Sequence, residues 1–192
     1  VTAGERDAQG NITNKNDYRV LQPALVTDPN GAVSEALFDA LGLVVATAVH
    51  KENVGDSLQN VQADKTQKQV DDFFADPRGQ AVTRLGTATT CIVYDMDRYY
   101  LTSNPDKAPY AATVARETHV SDPVPAGGLK IQIGFSYFDG FGREIQKKIQ
   151  AEPGPVNGVD TDPRWVGSGW TIFNNKGKPV RKYEPFFDDI HD

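Results

Sequence analysis

A chain of 192 residues, 39% hydrophobic and 24% charged, is long enough to bury a core of ordinary size. Its formal net charge is −6 and it has no dense Lys/Arg run, which disfavours nucleic acid as the main partner. Its one cysteine excludes an internal disulfide, and no apolar run approaches the roughly 20 residues of a membrane span.

Read from the start, "VTAGERDAQG" has neither the signal-peptide nor the transit-peptide pattern; it reads as mid-strand or mid-loop sequence, as expected of an excised fragment or a processed chain. Asp7 and Gly10 then introduce a spacing that recurs. Asp28 precedes Gly31, Asp39 precedes Gly42 and Asp76 precedes Gly79. Asp139 precedes Gly142 and Asn174 precedes Gly177. A type I turn favours Asp or Asn first, because its side chain bonds the backbone ahead. It favours Pro second and Gly fourth. A type I turn followed by a left-handed glycine is a common hairpin connection. All six sites are therefore expected to be hairpin turns. Asp28-Pro29-Asn30-Gly31 and Asp76-Pro77-Arg78-Gly79 meet all three preferences.

The flanks carry strand signals. "LGLVVATAV" (41–49) and "TCIVYDM" (90–96) are β-branched and apolar, and the second surrounds Cys91 so as to make it a buried, inert thiol. "KIQIGFSYF" (130–138) alternates, with Ile131, Ile133, Phe135 and Tyr137 on one face. After the 139–142 turn, Ile145 and Ile149 share one alternation among Glu144, Gln146 and Lys148. "WTIFN" (170–174) is a further short strand. "VYDMDRYYL" (93–101) is a degenerate seventh copy, with Arg98 where glycine would sit. One segment has helical spacing instead: an amphipathic helix at about 66–75, with Thr66 and Gln69 as a capping box, Val70, Phe73 and Phe74 on its apolar face, and Pro77 as its stop. Residues 103–112 and 151–169 read as loops.

Three of the turn acids follow a phenylalanine: Phe38, Phe138 and Phe173. Tyr/Phe-Asp-x-x-Gly-Arg leading into a strand resembles the YD-repeat of the Rhs family, and "YFDGFGREIQKK" (137–148) is a close copy. "DYRVLQPALVTDPNGAVSEALFDALGLVVATAV" (17–49) and "RWVGSGWTIFNNKGKPVRKYEPFF" (164–187) resemble the B component of bacterial Tc insecticidal toxin complexes and the related region of SpvB-type virulence proteins. The resemblance implies a mainly β fold, a piece of a larger curved shell of hairpins. It implies a structural role in encapsulating and delivering a toxic C-terminal cargo. Its implied partners are the rest of the same large chain, the C component and, indirectly, the A channel component. The implied location is extracellular, within a secreted complex made in the bacterial cytoplasm. Residues 1–192 are then one fragment of the shell.

Other chemistry is weaker. Asp28-Pro29-Asn30-Gly31 is similar to the self-cleavage motif of some shell proteins, but Ala32 departs from it and the residues suit a turn. Asp188, Asp189, His191 and Asp192 cluster, as do Asp160 and Asp162, without the spacing of a Ca²⁺ loop. His50, His119 and His191 lack paired-ligand spacing. "VGSGW" (166–170) is one residue short of a nucleophile elbow, and Asp71-Asp72 belongs to the exposed side of the helix. No catalytic residue, metal or cofactor is expected. The functional rival is a carbohydrate- or receptor-binding YD-repeat module of a secreted or cell-surface protein, with Trp165 and Trp170, and also Tyr99, Tyr100 and Tyr110, as stacking faces in loops.

Overall fold

The computed structural model describes residues 2–6, 8, 12–51, 54–104 and 107–192. They form two compact units, Val1–Ile92 with Val114–Ile131, and Val93–Thr113 with Gln132–Asp192.

The first unit opens as an antiparallel meander. Strands β1 (Thr2–Arg6), β2 (Ile12–Asp17), β3 (Gln22–Thr27), β4 (Ala32–Phe38) and β5 (Val44–Lys51) pair in sequence order, and the two-residue β6 (Val54–Gly55) returns on β5. Two helices follow, α1 (Gln67–Ala75) and α2 (Pro77–Leu85), before β7 (Thr90–Asp95) pairs with β5. The expected capping box of α1 is present: the Thr66 side chain accepts from the Gln69 amide, and the Gln69 side chain accepts from the Thr66 amide. Val70, Phe73 and Phe74 are buried on one side of the helix, and Asp71 and Asp72 are exposed on the other. With Ala81 and Leu85 of α2 and Val45, Ala46, Ala48 and Cys91 of the strands, they make this unit's core. Burying one such aromatic side chain is worth roughly 1.5–3 kcal/mol, so the helix is held by its apolar face.

Pro77 does not end the helical region; it begins α2. Asp76 is the N-cap, its carboxylate accepting from the Gly79 amide at 2.9 Å, and Pro77 sits in the first turn, where no N–H is needed. The expected hairpin turn at 76–79 is therefore a helix start. The same residue types serve both, because a type I turn and the first turn of a helix share backbone geometry and the same side-chain acceptor.

The second unit contains α3 (Arg98–Thr102), the first part of β8 (Tyr110–Arg116), nearly all of β9 (Ile131–Phe138), and β10 (Glu144–Ala151), β11 (Gly154–Val156), β12 (Val159–Thr161), β13 (Arg164–Gly167), β14 (Thr171–Phe173), β15 (Pro179–Lys182) and β16 (Phe186–Asp188). Its main strand order is β8-β9-β10-β13-β16, and β11–β12 and β14–β15 are separate hairpins. The seventh copy of the repeat is helix α3 instead. The 151–169 stretch is three short strands rather than a loop. Asn157 and Gly158 both have positive φ between the paired Val156 and Val159, the geometry of a two-residue hairpin turn.

The alternation of β9 is as expected: Ile133, Phe135 and Tyr137 are buried. Strand β10 inverts the usual sidedness. Gln146 and Lys148 are buried and Ile149 is half exposed. A bulge between Glu144 and Gln146 resets the register, and the buried ammonium is compensated: Lys148 Nζ donates to Asp188 Oδ2 at 2.6 Å and to the Ile190 carbonyl at 3.0 Å. Segment 186–192 covers an aromatic cluster. Phe135 stacks on His191 at 4.6 Å and meets Trp165 edge-on at 5.1 Å, while Tyr110 stacks on Tyr137 at 5.5 Å. Arg98 lies over Tyr110 at 4.2 Å and pairs with Asp192, and the Tyr137 hydroxyl donates to the His191 carbonyl.

At Gly79 a side-chain carbon would fall 2.0 Å from Asp76 Oδ2, so this glycine makes room for the cap. Asp76→Ala should cost about 1 kcal/mol in urea unfolding. Gly79→Ala should cost at least as much, because it displaces the same carboxylate. The double variant should be no worse than the more damaging single one. Additive losses would show that Gly79 acts independently of the cap.

Candidate functional site: the repeated turn and its arginine

Four of the six expected turns share one hydrogen-bond set. The glycine amide donates to the acid's own carbonyl at 3.0, 3.1, 3.0 and 2.9 Å for Gly31, Gly42, Gly142 and Gly177. The amide of Asp28, Asp39, Asp139 or Asn174 donates to the carbonyl four residues on, at 2.8, 3.0, 3.0 and 2.9 Å. One side-chain oxygen of each then accepts two amides, from the second and fourth residues ahead. Asp28 Oδ1 takes Asn30 and Ala32, Asp39 Oδ1 takes Leu41 and Leu43, Asp139 Oδ1 takes Phe141 and Arg143, and Asn174 Oδ1 takes Lys176 and Lys178, all at 2.8–3.0 Å. The glycines have φ of +79°, +85°, +74° and +73°, which a side chain adopts only with strain. The Asp7–Gly10 site lies outside the described residues, and Asp76–Gly79 is the helix start described above.

The 139–142 turn adds a charged fork. Arg143 Nε and Nη2 both bind Asp139 Oδ2, at 2.7 and 2.6 Å. The same guanidinium lies 4.7 Å from the centre of the Phe173 ring and 5.1 Å from that of Phe141. A side-chain carbon at Gly177 would come within 3.3 Å of Arg143 Nη1. The arginine that closes one turn thus rests on the aromatic that opens the 174–177 turn, and one cation serves both hairpins. The turns at 28–31 and 39–42 end in Ala32 and Leu43 and lack the fork. The 39–42 turn is held from outside: Arg19 donates to the Phe38 carbonyl and Asp64 accepts from the Ala40 amide.

Burial acts on Asp139 to raise its pKa, but the hydrogen bonds and charge of Arg143 and the Phe141 amide outweigh it and hold the carboxyl below the usual range. Two other carboxylates behave alike. Asp188 is lowered, against burial, by Lys148. Asp56 is lowered, against burial, by Thr89, Val120, His119 and Arg116. Asp56 is a node that the sequence reading passed over. Only 1% exposed, it accepts from Thr89 Oγ1 at 2.6 Å and the Val120 amide at 2.8 Å, and it contacts His119 Nδ1 at 2.8 Å. It pins three chain segments of the first unit. An aspartate after glycine in "VGDS" carries no motif, and its partners lie 33 to 64 residues away.

The two tryptophans separate. Trp165 is 1% exposed, with Phe135 and His191 packed on it, and has no face to offer a sugar. Trp170 is 40% exposed and lines a groove of about 700 Å³ with Met96, Tyr99, Tyr100, Phe138 and Ile145. Tyr110 is buried. Cys91 is buried, and burial pushes its thiol up despite an opposite pull from Lys65 and Arg84. Ser168 Oγ accepts from the Lys147 amide, a strand contact. Asp188 and Asp192 are spent on Lys148, Arg98 and Lys107. Among the described residues no group of three or more His, Cys, Asp or Glu is placed to hold a metal ion, and no helix is long and apolar enough to cross a membrane.

Gly142→Val should lower stability by about 1–3 kcal/mol; a side chain there meets no atom within 4 Å, so the loss is backbone strain alone. An unchanged melting temperature would contradict that turn geometry. A double-mutant cycle of Arg143→Gln with Phe173→Leu should give a coupling of about 0.5–1 kcal/mol; zero coupling would mean that the two hairpins are held by other contacts. Because Asp56, Asp139 and Asp188 all have lowered folded pKa values, their contributions are complete above the unfolded value near 3.8 and fall away as pH drops through the lower folded values. Urea midpoints should therefore fall below about pH 4, and less steeply in Asp139→Asn.

No protein-family description matches this sequence, and no curated protein matches it. Solved structures do. The chain is similar to a chain in the crystal structure of TcdB2-TccC3, with a TM-score of 0.63 and 21% identity over 98% of this chain. It is similar to a chain in the crystal structure of TcdB2-TccC3 without hypervariable C-terminal region, with a TM-score of 0.66 and 17% identity over 97%. This chain spans 10% and 12% of the length of those chains. The protein therefore has a mainly β fold like that of a segment of TcdB2-TccC3.

Proposed function

We propose that this protein is a structural segment of a toxin-complex shell, which helps enclose a toxic cargo and has no catalytic role. The observation that carries the reading is the Asp139–Arg143–Phe173 link. It lets one hairpin turn seat the next, and a wall built of hairpins needs that kind of repeated sideways contact. The likeness to TcdB2-TccC3 supports it, and it persists in the form lacking the hypervariable C-terminal region, so it lies in the common framework. The expected partners are the remainder of a longer chain, a C component that completes the shell and supplies the cargo, and indirectly an A channel component.

The exposed groove around Trp170 favours a second reading, a carbohydrate- or receptor-binding module. Its aromatic lining, with Tyr99 57% and Tyr100 81% exposed, is the kind of surface on which sugar rings stack. The two readings part in one experiment. The native assembly is isolated from source cells with an antibody against these residues, then treated with protease before and after mild denaturation. The shell reading expects a co-isolated polypeptide that resists protease until the assembly is opened. Absence of any protected polypeptide, together with saturable glycan binding lost in Trp170→Ala, would replace the shell with the binding module.

A further inference from the structure

We propose that a pocket in the first unit, between the 57–65 loop and the end of α2, binds a small oxyanion of the phosphate or phosphomonoester class. The pocket holds about 250 Å³, room for a phosphate and a few further atoms when a water occupies about 30 Å³. Its lining includes Lys65 and Arg84, side-chain amides of the 59–62 stretch and the hydroxyl-bearing Thr83 and Thr87, and it includes no carboxylate.

The two cations are uncompensated. Arg84 donates through Nη2 to the Gln69 carbonyl at 3.1 Å, but its Nε is buried with no acceptor. Lys65 makes one long hydrogen bond, 3.4 Å to the Gln62 carbonyl. Among the described residues neither forms an ion pair. The neighbouring Asp64 carboxylate is turned to the Ala40 amide. A guanidinium N–H buried without an acceptor is costly. Both cations also act on the thiol of Cys91, which places their positive field in one region of a chain whose net charge is −6.

The walls are fixed before any ligand arrives. The Ser57 amide donates to the Thr87 carbonyl at 2.9 Å, and Thr87 Oγ1 donates to the Ser57 carbonyl at 2.8 Å. Gln69 Nε2 donates to Gln62 Oε1 at 2.9 Å, tying the loop to α1. A pre-formed cleft loses less entropy on binding than one that must be ordered. The carbonyl end of α2 opposes an anion, but the Gly86 carbonyl already accepts from Arg116.

The test is amide NMR titration of the whole chain with inorganic phosphate and, separately, glycerol phosphate, at ionic strength held constant with sodium chloride. Saturable shifts confined to the 57–65 loop and residues 83–87 are expected. Lys65→Gln and Arg84→Gln should each weaken binding at least about tenfold. Tighter binding of glycerol phosphate would assign a phosphomonoester, and equal binding the free anion. Lys65→Gln removes no protein contact beyond the long bond to Gln62, so it keeps the test valid if Arg84→Gln unfolds. Non-saturating shifts, shifts spread over the chain, or unchanged affinity in a folded Lys65→Gln would overturn the proposal.

Discussion

One carboxylate oxygen accepting two backbone amides is the constraint on which the hairpins depend. In a tight reversal the amides at the second and fourth positions after the acid turn inward and have no strand partner. A side-chain acceptor holds them in the turned conformation, which water would not do. Asp28, Asp39 and Asp139 meet both with a single atom, and Asn174 does so without a charge. The interaction is therefore geometric before it is electrostatic. The charge matters where a second use is made of it, as at Asp139, whose other oxygen holds Arg143 against Phe173. A local turn rule becomes a contact between hairpins, and a contact between hairpins can be repeated.

The same chemistry explains what could and could not be read from the residues alone. The capping box of α1 and the alternation of β9 are local patterns, and both appear where the residues place them. Asp76-Pro77-Arg78-Gly79 is a better turn string than Asp39-Ala40-Leu41-Gly42, yet it opens a helix. The deciding signal lies downstream, where Ala81 and Leu85 stand four apart and no strand alternation follows. Asn157-Gly158 was a legible hairpin signal hidden by the many other turn residues around it. The burial of Lys148 was not legible, because it needs Asp188 from forty residues away to make an inward ammonium tolerable. Trp165 and Trp170 differ in exposure because the first lies within β13 and faces the aromatic cluster, whereas the second lies between β13 and β14. Asp56 draws its partners from two later segments, so no window of sequence contains the node.

The second unit shows how such a surface is closed. Segment 186–192 adds a three-residue strand to β13 and lays His191 on Phe135, with Asp188 and Asp192 neutralising the cations beneath. What remains outward is apolar in places, with Ile149, Trp170 and Ile172 all 40% exposed or more. The solved structures this chain resembles belong to chains roughly eight to ten times as long.

The central claim is that these residues form one segment of a much larger hairpin wall. An immunoblot of source cells with an antibody against the 192-residue chain tests it most directly. The account predicts a band many times heavier than 21.0 kDa. A native band at 21.0 kDa would mean an independent small protein and would contradict the claim.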